Sequence, residues 1–259
     1  MPENILIFVD SPGQKKFLEA YTFPKGLIAH PTSKLHQVLS SHDILNLTVI
    51  VTGHGEHFGI TALSPIKPAA LLQLVREIGI GGSALIVLGQ CYAGVFNFLD
   101  ARGKHPEANL EHLPEICLLG ATGFTVSISA TVDLSRYLPP FSAFSCPQQW
   151  LANIFLFFFM IAVCIRPDID GDGSFTVTDA YKFANIHSDN HLLVAKRAAF
   201  QKMISTGVST EIASFTAPPS MSQQLSQKAQ EDFIMLTSTV LSTQTPWMLH
   251  ANFARSLLL

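Results

Sequence analysis

Leu47-Thr-Val-Ile-Val-Thr52 runs into Gly53-His54-Gly55-Glu56, and Ala84-Leu-Ile-Val-Leu-Gly89 runs into Gln90-Cys91-Tyr92-Ala93-Gly94. Each run is short, nearly continuous in apolar residues and stopped by glycine, the pattern of a buried parallel strand entering a tight turn. Between them, Pro68 to Ile78 places Leu71, Leu74, Val75 and Ile78 on one helical face, with proline in the first turn and Gly79 at the end. Strand, helix, strand in this order predicts a crossover unit of an α/β sheet. Ile5 to Val9, Gly26 to Ala29 and Ile116 to Leu119 read as further strands of the same kind.

The rest of the chain changes character. Thr122 to Ser145 is rich in Ser and Thr and reads as loops. Trp150 to Ile165 is an apolar, Phe-rich stretch of 16 residues interrupted by Asn153, short of the roughly 18 to 20 needed to cross a bilayer, so it reads as a buried helix. Beyond an acidic loop, two helical segments are expected to about Ile204. Ser205 to Ser226, made of Ser, Thr, Ala and Pro with few large apolar residues, reads as a low-complexity surface loop. The final Ser256-Leu-Leu-Leu259 is expected to add a late strand.

Composition narrows the function classes. The chain has 259 residues, 48% of them hydrophobic and only 14% charged, which predicts one folded domain spanning residues 1–259 with an extensive core. A formal net charge of -3 gives no electrostatic basis for tracking a phosphate backbone, so no nucleic-acid partner is expected. The four cysteines, Cys91, Cys117, Cys146 and Cys164, make neither a disulfide framework nor a C-x-x-C pair, and the N-terminal apolar run has no basic flank; a cytoplasmic location and no membrane span are expected.

Reactive residues gather at the ends of two strands, where open α/β sheets hold their ligands. If the strands are neighbours, His54 and Cys91, 37 residues apart, face one another at one edge of the sheet. A cysteine peptidase needs a thiolate nucleophile, a histidine to move protons and amide donors aimed at the oxyanion. Cys91 and His54 fill the first two roles, and the N–H groups of Gly55 and Cys91 are candidates for the third. Taken singly, a cysteine after a buried strand reads as inert core and a histidine in a turn as an ordinary loop residue.

The motifs V-I-V-T-G-H-G and L-I-V-L-G-Q-C-Y-A-G, in this order, resemble the caspase-like cysteine peptidases, the group of caspases, metacaspases, legumains, gingipains and separases. Pro167-Asp-Ile-Asp-Gly-Asp-Gly-Ser-Phe-Thr-Val-Thr-Asp179 is similar to the acidic loop before a helix in many of these proteins, and Thr243-Gln-Thr-Pro-Trp247 to their late Gln-x-Pro segment. The resemblance implies a three-layer α/β/α sandwich with a mostly parallel sheet, and hydrolysis of peptide bonds in an extended protein or peptide substrate through a Cys91 thioester. It also implies activation by cutting of a flexible segment, for which Ala101 to His112 and Ser205 to Ser226 are the candidates. Arginines that would select aspartate have no match here; Asp10, at the end of the first strand, suits a basic substrate side chain, or serves as a capping or solvated loop residue. Gln90 either shapes the same pocket or turns the chain. The alternative within this family is a domain without catalysis, serving as a binding or calcium-sensing module.

Two other enzyme classes fit less well. A glutaminase would use Cys91 with His105-Pro106-Glu107, but 14 residues leave no room for a strand and helix between them. An α/β-hydrolase elbow needs glycine two residues to either side of its nucleophile, and position 93 is alanine. Asp168 to Asp179 fits the twelve-residue EF-hand register, with oxygen ligands for Ca2+ expected from Asp168, Asp170, Asp172, the Ser174 carbonyl, Thr176 and Asp179. Aspartate at the last position is shorter than the usual glutamate, no second loop pairs with this one, and a capped acidic turn is the other reading. No cofactor is required for the peptidase chemistry.

Overall fold

The structure is a computed structural model that describes residues 5–10, 29–98, 114–137, 149–205 and 227–259. The fold is mixed α/β, and its contacts divide into two compact units. Unit 1 holds residues 1–124 and 247–257; unit 2 holds 125–246 and 258–259.

Unit 1 is built on a four-stranded sheet. β3 (Leu47–Val51), β6 (Ser83–Leu88) and β7 (Glu115–Gly120) run parallel, and β10 (Trp247–Leu249) lies antiparallel on β7, giving the order β10-β7-β6-β3. Between β3 and β6 runs α2 (Pro68–Glu77), the expected crossover helix, with Pro68 in its first turn and Gly79 just beyond it at φ +71. Its Leu71, Leu72 and Val75 join Leu39 of α1 (Leu35–Leu39) and Ala84, Ile86, Leu88, Ile116 and Leu118 of the sheet in one apolar core. β6 and β7 are buried along nearly their whole length, as central parallel strands should be. β3 corrects the expectation of cover on both faces: Leu47, Val49 and Val51 pack on the core while Thr48 and Ile50 face outward, because β3 is the edge strand.

β1 (Ile7–Val9) and β2 (Ala29–Pro31) pair in parallel as a separate two-stranded sheet, and Gly26, Leu27 and Ile28 of the expected second strand lie outside the described residues. β4 (Gly55–Glu56) and β5 (Gly59–Ile60) form a small hairpin after β3. The short helix α6 (Ala251–Ala254) follows β10. The late strand is therefore Trp247–Leu249 and not Ser256 to Leu259.

In unit 2, β8 (Ser129–Asp133) and β9 (Gln149–Asn153) form an antiparallel pair. Part of the expected Ser/Thr loop region is thus a strand, and the Phe-rich helix starts only at Ile154, since Trp150 to Asn153 belong to β9. That helix, α3 (Ile154–Ile165), is capped by Asn153, whose Oδ1 accepts the Leu156 N–H at 3.0 Å, and ends at Arg166 in the left-handed conformation. Ile154 to Phe159, Ile161 and Ala162 are buried. The two helical segments expected next are one helix, α4 (Val177–Ser205), against which α5 (Gln227–Leu241) packs through Ala199, Met203 and Leu236. Leu258 bridges to Thr176, and the Leu259 N–H donates to the Phe175 carbonyl at 3.3 Å. Among the described residues no helix is long and apolar enough to cross a membrane.

Candidate functional site

β3 and β6 are adjacent and parallel, with Val51 opposite Leu88, so His54 and Cys91 each stand three residues past the same rung of the ladder. The Gly89 N–H extends that ladder by donating to the Val51 carbonyl at 2.9 Å. Both chains then turn at the carboxyl edge of the sheet. Gly53 has φ +129, a conformation that favours glycine, and His54 follows on an exposed turn whose carbonyl accepts the Thr61 N–H at 3.0 Å.

The two turns touch at Gly55. A Cβ added there would fall on the Cys91 carbonyl oxygen and on Cγ of Gln90, so only glycine permits this approach. On its other side the cysteine turn is held by a second glycine pair. The Gly94 N–H donates to the Gly123 carbonyl at 2.9 Å, and a Cβ on Gly94 would meet the Gly123 carbonyl carbon at 2.6 Å. Tyr92, between them, is left-handed at φ +55, uncommon for a residue with a side chain. Gly123 was not singled out by sequence, although it repeats the signal used for the other two: a glycine just past the end of a buried strand, here β7.

Cys91 is half-buried and not disulfide-bonded. Cys117, inside β7, is fully buried, and burial pushes its thiol up to about 12, which keeps it protonated and unreactive at neutral pH. Cys164 is exposed at the end of α3. Cys146 lies outside the described residues, as do His105-Pro106-Glu107 and the cutting sites considered within Ala101 to His112 and, past Ser205, in residues 206–226.

Gln90 is completely buried, and among the described residues neither Oε1 nor Nε2 has a hydrogen-bond partner. An amide left in this state costs roughly 1 to 3 kcal/mol, so its place beside Cys91 is not explained by stability. Asp10 is half-buried, and its Oδ2 accepts the Leu63 N–H at 2.7 Å, tying the end of β1 to the loop after β5. A cavity of about 120 Å³ in unit 2, lined by Asp133, Arg136, Tyr137 and His191 among others, contains none of the residues expected from sequence.

The acidic loop also belongs to unit 2. Asp168, Asp170 and Asp172 are exposed, with one carboxylate oxygen from each within 4.8 Å of the others, a spacing that could hold a cation. Asp168 also shapes the loop, its Oδ1 accepting the N–H groups of Gly171 and Asp172 and its Oδ2 that of Gly173. Asp172 accepts the Ser174 N–H, and Lys182 lies 3.5 Å from Asp170. The twelfth position departs from the ligand set. Asp179 is buried; its Oδ1 accepts the Ile169 N–H at 3.0 Å and its Oδ2 the N–H and hydroxyl of Thr176 at 3.0 and 2.6 Å. Burial by itself raises a carboxyl's pKa, but the hydrogen bonds from Thr176, Ile169 and Asp170 outweigh it and hold Asp179 below the ordinary value. Asp179 thus closes the turn at the start of α4, Thr176 is buried with it, and three aspartates remain for a cation.

No protein-family model matches this chain, and no curated protein matches it.

Proposed function

We propose that the chain is a caspase-like cysteine peptidase, with Cys91 as nucleophile and His54 as general acid and base in a three-layer α/β/α architecture. The observation that carries this reading is the packing of Gly55 on Gln90 and Cys91, which brings the histidine turn against the cysteine turn at the carboxyl edge of the sheet. The Cys91 thiolate attacks the scissile carbonyl carbon, and the carbonyl electrons move onto oxygen, where the N–H groups of Gly55 and Cys91 are the proposed donors. Collapse of that oxyanion expels the amine, which takes a proton from the His54 imidazolium, and leaves a thioester on Cys91. Water, deprotonated by His54, then attacks the thioester and releases the acid product and the thiolate.

The test is cleavage of a diverse peptide library by the wild type, Cys91→Ala and His54→Ala. Turnover is expected from the wild type, none from Cys91→Ala, and a loss of about 10²- to 10⁴-fold from His54→Ala. A preference for a basic residue on the amino side of the cut supports a substrate role for Asp10. Labelling by a thiol-reactive peptide probe, located by peptide mapping because Cys164 is also exposed, should fall on Cys91 and drop in His54→Ala. Cys91 labelling that ignores His54, together with no cleavage of any peptide, overturns the peptidase in favour of the binding module.

A second reading concerns the acidic loop, favoured by the close approach of Asp168, Asp170 and Asp172. They hold Ca2+ weakly, in the range of about 10⁻⁴ to 10⁻³ M typical of weak modules, since Asp179 is engaged elsewhere. At ten times Kd the ion stabilises the fold by about 1.4 kcal/mol, read as a rise in Tm. Asp170→Ala removes that rise. A wild type whose Tm ignores 10-fold excess over millimolar Ca2+, roughly 10 mM, leaves the loop a capped turn.

A further inference from the structure

α4 spans 29 residues, a length of about 43 Å, and carries two separate apolar faces. Ala184, Ser188, Leu192, Ala199 and Met203 are buried on one. On the other, Ile186, Leu193 and Phe200 recur every seven residues, with Ile204 on the same line; they are 52, 47, 57 and 57% exposed. At 100° per residue these four lie within about 40° of one another, a narrow seam running along the solvent side of the helix.

The charges beside the seam identify its occupant. Asp189 and Lys196 flank it on the same side, four residues before and three residues after Leu193, and among the described residues neither makes an ion pair. Asn190 and Arg197 flank the other side, three before and four after. A second copy of the helix, antiparallel and related by a two-fold axis at Leu193, sets Leu193 against Leu193 and Ile186 against Phe200. Because such an axis keeps each flank facing its own equivalent, Asp189 meets Lys196 of the other copy, and Arg197 meets Asn190. Each of these charges has a partner of matching chemistry in this register, and both pairs occur twice. A parallel pairing in register brings opposite flanks together instead, setting Lys196 against Arg197 and Asp189 against Asn190.

We propose that the exposed seam of α4 is a self-association surface, through which two copies of this chain form an antiparallel dimer centred on Leu193. One helix face is small for a specific interface, so the dissociation constant is on the order of micromolar.

Sedimentation equilibrium of the full chain over a wide concentration range tests this. The wild type is expected to pass from monomer to dimer, and Leu193→Glu to stay monomeric with an unchanged far-ultraviolet circular dichroism spectrum. Asp189→Lys and Lys196→Asp each place like charges across the seam and should weaken the dimer tenfold or more. The double exchange, Asp189→Lys with Lys196→Asp, restores opposite charges and should return the constant to within about threefold of the wild type. Leu193 and Asp189 are exposed and Lys196 is half-buried, so the same circular dichroism comparison is made on the exchanged variants to check that the buried face of the helix is kept. A wild type that is monomeric up to several hundred micromolar overturns the proposal, as does a dimer indifferent to Leu193→Glu. A double exchange that behaves like the singles overturns the antiparallel register.

Discussion

At the scale of single residues, the site depends on an absent side chain. Gly55 lies so close to Gln90 and the Cys91 carbonyl that its Cβ has no room, and the atoms in the way are backbone and side-chain stem. Gly55→Ala is therefore expected to destabilise the protein by about 1 to 3 kcal/mol and to lower Cys91 labelling by the peptide probe, as the two turns are pushed apart. Gly81 is the control: its Cβ would meet only Leu45 Cδ1 at an ordinary 3.5 Å, so Gly81→Ala should change stability by less than about 1 kcal/mol. Urea denaturation and labelling rates on both variants separate the outcomes. If Gly55→Ala matches Gly81→Ala, the close approach is not what holds the turns together. The importance of glycine beside His54 and Cys91 was legible in the sequence, because glycine at a strand end has few other uses. The burial of Gln90 was not, since a polar amide gives no hint that it sits fully inside the fold.

At the scale of elements, composition misled in both directions. Two helical segments are expected to about Ile204, yet α4 runs unbroken from Val177 to Ser205: within it Ser188 turns its hydroxyl back onto the Asn185 carbonyl at 3.1 Å, and the surrounding Ala184 and Leu192 are held in the core. Ser129 to Asp133 reads as loop because serine and threonine hide the alternation, and only pairing with β9 makes it a strand. The acidic loop was recognised by spacing, but spacing cannot distinguish a ligand from a cap, and Asp179 is a cap. Asp179→Asn should cost about 1 to 2 kcal/mol at neutral pH, from the weakened bonds to Ile169 and Thr176. The pH dependence follows from a folded pKa held below the unfolded 3.8. The stabilisation is complete above that unfolded value and fades as pH falls through the folded one, because the carboxyl must then give up bonds to its charged form. Denaturation curves of wild type and variant should differ fully at pH 7 and 5 and converge below pH 4. A constant difference across that range would assign the effect to shape and not to charge.

At the scale of the whole molecule, the central strands were legible because β6 and β7 are apolar enough to declare themselves wherever they pair. β10 was not, since its place is fixed by partners more than a hundred residues earlier in the chain. The leucines at 257–259 looked like the better strand, but Trp247 supplies what they lack. Its ring lies over Gly120, where any Cβ would strike it, and its Nε1–H donates to the Thr122 carbonyl at 2.9 Å. Trp247 thereby covers the far side of β7, the strand that leads to Gly123 and the brace on the cysteine turn. Trp247→Phe keeps most of the ring and loses one hydrogen bond, about 1 kcal/mol. Trp247→Ala also opens the space over Gly120 and should cost about 3 kcal/mol, near the low end for a large aromatic because the ring is only partly buried. Hydrogen exchange locates the damage. Amides of Cys117 to Gly120 should exchange faster in Trp247→Ala, while those of Phe157 to Ile161 in α3, capped and buried within unit 2, should keep their wild-type rates. Equal acceleration in both places would mean that β10 stabilises the chain as a whole and is not specific to the sheet that carries His54 and Cys91.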